Sequence, residues 1–205
     1  MSWPPEHKSS TRQRIVEAAA KAYREFGLDG ISTAEIMKRA GLTHGGFYAH
    51  CPSKDALVAE ALEMARADTL SEYGKVAAST PEQGKLLAIA ESYLSSRHRE
   101  HPETGCPIAA LGSELPRQNP EVREKFGTGV LAQFATLARS MGYDEEASAR
   151  LAAGTFAAMV GGIILARALP GSNDADRFLA HVREFVRDAL AADSAAGLPD
   201  DGHGS

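Results

Sequence analysis

The sequence predicts an all-α chain of about nine helices, and three observations carry that prediction. Helix-start signatures recur along its length, apolar residues between them return at three- and four-residue spacing, and no segment shows strand alternation or a hairpin turn. With 205 residues, 43% hydrophobic and 24% charged, the chain is long enough to bury a real core, so disorder is not the default. The net charge is −5, but it is divided unevenly: residues 1–54 hold eight Lys/Arg against five Asp/Glu, leaving 14 against 22 for the remainder. A small cationic head on an acidic body is the implied layout.

Taken in order, residues 1–9 are polar and proline-bearing and are expected to form a flexible arm. A first helix is predicted from Ser10, with Gln13 completing a capping box and Ile15, Ala18, Ala19, Ala22 and Phe26 inward until Gly27 ends it. Ser32 with Glu35 is a second capping box, opening a helix near Thr33 that places Ile36, Met37 and Ala40 on one face and stops at Gly41. Thr43 is expected to cap a third helix through Phe47, Tyr48 and His50, closed by Pro52 because the residue before proline leaves the helical region. Helix, tight turn, helix is a DNA-reading unit.

Ser53 caps a long helix to about residue 79, with Leu57, Ala61, Met64 and Ala65 on one side. Thr80-Pro81-Glu82-Gln83 opens another, predicted to run over 81–99 with Leu86, Leu87, Ile89, Ala90, Tyr93 and Leu94 inward. After a break at 101–105, a short helix is predicted over 107–115, and another from Asn119-Pro120 to about Met141. Two more follow, from Asp144 to about Leu169 and from Asp174 to Ala192, and the tail 193–205 is expected to be disordered. The apolar run at 151–166 is 16 residues, short for a membrane span of about 20, and is read as a buried helix. The N-terminus MSWPPEHKSS has no apolar core, and only Cys51 and Cys106 are present, so a reducing cytoplasm is expected.

The run RAGLTHGGFYAHCPSKDAL after a capped helix, followed by an all-helical remainder, resembles the tetracycline-repressor (TetR) family of transcriptional regulators. The likeness is strongest over residues 10–62. Gly105-Cys106-Pro107 with Glu114 also resembles one group of the family's C-terminal domains. The resemblance implies a helix-turn-helix domain over 10–55 that binds palindromic operator DNA, and a larger ligand-binding and dimerisation domain over 56–192. It implies a homodimer that releases DNA on binding a small molecule, without a cofactor or a metal.

It also implies phosphate contacts from Thr33, Tyr48, His50 and Lys54, and base-edge positions at Thr43, His44, Gly45 and Gly46. No Arg stands there for guanine and no Asn or Gln for adenine, so sequence choice leans on thymine methyls, His44 and DNA shape. Phe47 is assigned to the head's core. Cys51 departs from the family's larger aromatic or aliphatic residue, and a slightly under-filled site is expected there.

The small-residue helix LAAGTFAAMVGGIILARAL, through Gly154, Ala158, Gly161 and Gly162, with Phe178, Val182 and Phe185 on its partner, is the candidate intersubunit bundle; the same stripes also suit intrachain core. Tyr73, Tyr93, Cys106, Phe126, Phe134, Phe156 and Met159 are the candidate pocket for a mostly apolar ligand. Cys106, beside a helix start and near Arg97, His98, Arg99 and His101, is either an electrophile-reactive thiol or an inert packing one. His98, His101 and Cys106 lack a fourth ligand for a metal. Two alternatives stand beside the regulator: a small helical enzyme, for which no phosphate loop, nucleophile elbow or paired carboxylates appear, and a ligand-independent architectural DNA binder.

Overall fold

The computed structural model describes residues 5–139 and 145–196. Ten α-helices occur among the described residues, and no strand. They are α1 (Pro5–Phe26), α2 (Thr33–Arg39), α3 (Phe47–His50), α4 (Lys54–Ala78), α5 (Lys85–Tyr93), α6 (Ser96–Glu100), α7 (Pro107–Leu111), α8 (Pro120–Arg139), α9 (Glu145–Ala168) and α10 (Ser172–Ala196). The count exceeds the expected nine because the helix predicted over 81–99 is broken. Residues Glu82–Gly84 form a 3-10 turn, and the Ser95 hydroxyl accepts the His98 N–H at 3.2 Å, starting α6 afresh. Serine competes in this way with the helical ladder.

The first helix also starts earlier than expected, at Pro5, which turns residues 5–9 from arm into helix. Proline suits a first helical turn, where its missing N–H leaves no bond unmade. Gln13 is then mid-helix and bonds to Glu17 rather than capping. Trp3, Asp144 and the tail 197–205 lie outside the described residues.

Helix α2 keeps its predicted ends. The Ser32 hydroxyl accepts the Glu35 N–H, while the Glu35 carboxylate turns toward Lys38 and Arg39 instead of reaching back. At the other end Gly41 adopts φ +71°, its N–H bonding to Lys38 O and that of Leu42 to Met37 O, which satisfies two terminal carbonyls. Ser53 caps α4 through the Ala56 N–H at 3.0 Å, and Asn119 caps α8 through that of Val122.

Helix α1 packs most extensively on α4, and α9 on α10. Two apolar clusters result. The first joins Ile15, Ala19, Tyr23, Ile36, Met37, Phe47 and Cys51 to Leu57 and Ala61 of α4, and also takes in Leu111, Leu115 and Val122. The second gathers Tyr73, Ile89, Tyr93, Leu94 and Cys106 with Met159, Ile163 and Leu179. Helix α4 belongs to both, so the boundary expected at 55/56 falls in its first turn. Phe26 is not core: it is 43% exposed, with the Arg39 guanidinium 4.6 Å above its ring.

Helix α9 is longer than the apolar run that announced it. Ala149–Ala168 is long and apolar enough by composition to cross a membrane, yet Ala152, Met159, Ile163 and Ala166 on one side are buried inside this chain.

Candidate nucleic-acid interface and effector cleft

The segment expected to read DNA is a 3-10 turn and a single α-turn rather than one helix. Thr43 is extended and makes no side-chain cap; His44–Gly46 form a 3-10 turn, and α3 is a single turn from Phe47 to His50. Two adjacent glycines, each costing roughly 1 kcal/mol in a helix relative to alanine, account for the interruption. A Cβ at Gly45 would meet open space. Thr43, His44 and Gly45 are exposed, and Tyr48 is 77% exposed, its ring edge-on at 5.1 Å to the buried Phe47 that anchors it. An exposed tyrosine beside bare backbone is a surface with a phenol donor and close access.

Thr33 and His50 are half-buried, and Lys54 is exposed at the start of α4, where its ammonium pairs with Asp29 at 3.2 Å. The His50 carbonyl accepts from Arg12 Nε at 3.2 Å, and Arg12 also pairs with Glu60 of α4. Arg14 donates to Ala40 O at the end of α2. These two arginines brace the unit from α1. In the sequence a basic residue between apolar positions looks like any solvated face, so nothing there singles out Arg12 or Arg14. Cys51 is buried in the head's core, and burial raises its thiol pKa, so it packs as a small apolar group.

Two clefts open in the remainder. One, of about 530 Å³, lies between α4, α7 and α8 and includes Leu62, Arg66, Ile108, Phe126 and Gln133. The other, of about 440 Å³, lies between α1, α4, α5 and the 101–106 turn and includes Tyr73, Tyr93, His98 and Cys106. The predicted pocket residues are thereby divided. Tyr73, Tyr93 and Cys106 line the second cleft and Phe126 the first. Met159 is fully buried, Phe134 and Phe156 are half-buried, and these three line neither.

Gln133 stands between the two. It is 0% exposed, donates from Nε2 to Tyr73 Oη at 3.1 Å, and lies 3.8 Å from Cys106 Sγ. Its Oε1 is buried without a hydrogen-bond partner, and the buried Tyr93 hydroxyl has no nitrogen or oxygen partner, only the Cys106 thiol beside it. Unmet polar atoms of this kind cost roughly 1–3 kcal/mol each, and they mark a place where a ligand atom would be welcome. Burial first, and the neighbouring thiol second, raise both tyrosine pKa values well above the usual range, so both stay protonated.

The cationic cluster expected around Cys106 is assembled differently. Arg99 turns to Asp176 and Ser172 O, and His101 pairs with Glu103 at the surface. The charges near Cys106 come instead from Arg24 of α1 and Arg167 of α9. It is the Cys106 amide, not its thiol, that engages His98, donating to Nε2 at 3.0 Å; Nδ1–H of that ring then donates to Tyr93 O at 2.8 Å. Burial, with help from the charges of Arg167 and Arg24, lowers the His98 pKa from 6.5 to about 4, leaving the ring neutral. Cys106 itself is 2% exposed, and α7 after it is only five residues long.

The candidate interface on α9 and α10 also divides. Gly162 is buried: a Cβ there would come within 2.8 Å of Leu94 Cδ2 and 3.2 Å of Val182 Cγ1, so Gly162 and Val182 close the packing inside one chain. Ala158 and Phe178 likewise pack against the second cluster. Gly154 and Gly161 face open space, Phe185 is 63% exposed, and Ile164 and Leu165, which sequence reading missed, join them outside. One helical step of 100° separates Gly161 from Gly162, enough to send them to different partners.

The profile for bacterial regulatory proteins of the tetR family matches residues 15–61, and that for the tetracyclin repressor-like C-terminal domain matches 83–182. The HTH-type transcriptional regulator YvdT of Bacillus subtilis is 35% identical over 68 residues, covering 33% of this chain and 35% of that protein. The A-factor receptor protein of Streptomyces griseus is 29% identical over 112 residues, covering 54% of this chain and 38% of the receptor. These matches thus span little more than a third of either relative. A TetR-family regulator from Cytophaga hutchinsonii has the same fold, with TM-score 0.79 and 21% identity over 94% of this chain and 98% of its own. A braced helix-turn-helix ahead of an all-helical body with its own clefts, matched by both profiles in their proper order, places this chain in the TetR family of DNA-binding transcriptional regulators.

Proposed function

We propose that the chain is a dimeric repressor that leaves its operator when a small molecule enters the helical body. The observation that carries this reading is the exposed surface from Thr43 to Tyr48, set on the buried Phe47 and braced by Arg12 and Arg14. In it the head, residues 10–55, docks through Thr33, Tyr48, His50 and Lys54 on phosphates, with Thr43, His44, Gly45 and Gly46 against base edges. Lys54 exchanges Asp29 for a phosphate. Its present partner is largely exposed, and such a pair is worth only about 0–1 kcal/mol.

The outward stripe of Gly154, Gly161, Ile164, Leu165 and Phe185 supplies the contact with a second copy. Twofold symmetry then sets two heads on a palindromic site. Effector binding in the body, residues 56–192, acts by shifting the population of head spacings. The 440 Å³ cleft is the favoured seat, because Tyr93 and Cys106, a buried phenol and a buried thiol, both line it. Alkylation of Cys106 by an electrophile entering that cleft is a second route to the same release. The protein works in the cytoplasm, where its operator lies.

The test is retarded migration of DNA cut from upstream of the gene, reversed by a small molecule. An enzyme would give no retardation; an architectural binder would give retardation without reversal.

A further inference from the structure

The 440 Å³ cleft is not simply apolar. Four cationic side chains line it, Lys21, Arg24, Lys75 and Arg97, against two acidic ones, Asp68 and Glu72. Lys75 pairs with Glu72, and Arg24 stands 3.5 Å from Asp68, whose side chain is mostly exposed. Among the described residues, Lys21 and Arg97 have no ion-pair partner. Tyr93 also lines the cleft, and its buried hydroxyl has no nitrogen or oxygen partner, only the Cys106 thiol beside it. Ile89 and the rings of Tyr73 and Tyr93 complete the wall. A hydroxyl without a nitrogen or oxygen partner and a cationic surplus in one cleft call for the same chemistry.

We infer that the effector is an organic monoanion, an apolar body carrying one carboxylate-type group, held in this cleft by the cationic side chains and the Tyr93 hydroxyl. A carboxylate answers both features: it neutralises positive charge and accepts hydrogen bonds from a phenol or a guanidinium. The inference rests on the reading of the chain as an effector-released regulator, and it narrows the small apolar molecule expected there to an acid.

Arg24 gives such an anion a route to the DNA-binding head. It belongs to α1, its side chain is buried, and its NH1 donates to Gly105 O at 3.0 Å while Nε holds Ala20 O. The N–H of that same Gly105–Cys106 peptide is held by His98. One peptide unit is therefore clamped between the head's first helix and the body, and a Cβ at Gly105 would fall 2.6 Å from the His98 ring. An anion that draws the guanidinium toward itself competes with this clamp and loosens α1 from the turn. By linkage, operator binding weakens the anion to the same degree that the anion weakens operator binding.

The experiment uses matched pairs on the full chain: 1-naphthoate against 1-naphthamide, and decanoate against decanamide, read by calorimetry and by operator anisotropy. Each acid is expected to bind at least about ten-fold tighter than its amide, with the advantage shrinking as salt rises. Lys21→Gln and Arg97→Gln, at the cleft's rim, should each weaken the acid several-fold with circular dichroism and Tm unchanged, and Tyr93→Phe should do so at all salt concentrations. Amides binding as well as acids, or no acid binding at millimolar concentration, overturns the inference. Acid binding without operator release overturns the coupling through Arg24. If operator is bound and only neutral compounds release it, the regulator reading stands and this one falls; no operator binding at all removes the reading beneath both.

Discussion

Replacing Gly27 by alanine should destabilise the fold through Glu114, a residue 87 positions away, and the cost can be worked from the junction between α1 and the loop after α7. Gly27 has φ +83°, a conformation that costs a side-chain-bearing residue about 1 kcal/mol. A Cβ there would also lie 2.8 Å from Glu114 Oε1 and 3.2 Å from Oε2, so the carboxylate must retreat. In retreating it abandons the N–H of the buried Leu28, which it now accepts at 2.8 Å. A hydrogen bond to a charged group contributes about 1.5–3 kcal/mol, which brings Gly27→Ala to roughly 3 kcal/mol. Glu114→Ala alone loses the bond but not the backbone term, about 2 kcal/mol. With Glu114 already gone, Gly27→Ala should cost only the backbone term, leaving a coupling of about 2 kcal/mol. Urea unfolding of the four proteins at one protomer concentration measures it. Additive losses, with coupling below about 0.5 kcal/mol, would refute the assignment of Glu114 as the cap that joins body to head.

Three further outcomes follow from other sites. His98 stays neutral in the fold to about pH 4 but titrates near 6.5 when unfolded, so the unfolded chain takes up a proton that the folded one refuses. Stability is full above pH 6.5 and falls by about 3 kcal/mol as pH drops to 4; His98→Gln, which keeps an acceptor for the Cys106 amide, should flatten that slope in urea titrations. Phe185→Glu should convert dimer to monomer in sedimentation at micromolar protein while helicity is kept, since this ring is exposed within one chain. Cys106→Ser should abolish operator release by N-ethylmaleimide while leaving release by a non-reactive effector in place.

The helices were legible where local chemistry decides them. Ser32, Gly41, Ser53 and Asn119 each satisfy a backbone group within a few residues of themselves, and the sequence is enough to see it. It is less informative where competing local bonds are close in strength, as at Ser95, or where two weak helix formers meet, as at Gly45 and Gly46. Periodicity found the stripe on α9 but could not say which partner each residue meets, and Gly161 and Gly162 went different ways. The residues that tie head to body were not legible at all. Arg24 reaches Gly105 across 81 positions and Glu114 reaches Leu28 across 86, and no spacing rule connects them. The sequence neighbours of Cys106 do not set its charged surroundings, which come from Arg24 of α1 and Arg167 of α9.

Fluorescence anisotropy on an upstream fragment, with Tyr48→Ala and His44→Ala, tests whether residues 43–48 read an operator under the control of the body. Tyr48→Ala should weaken cognate and scrambled DNA alike, because a rim phenol holds phosphate. His44→Ala should narrow the gap between them, with about 1–3 kcal/mol of discrimination at stake for a base contact. Effector should lower the affinity of the unmodified protein. Unchanged DNA affinity in both variants would mean that residues 43–48 do not read the operator, and binding that no small molecule relieves would mean that the body does not control it.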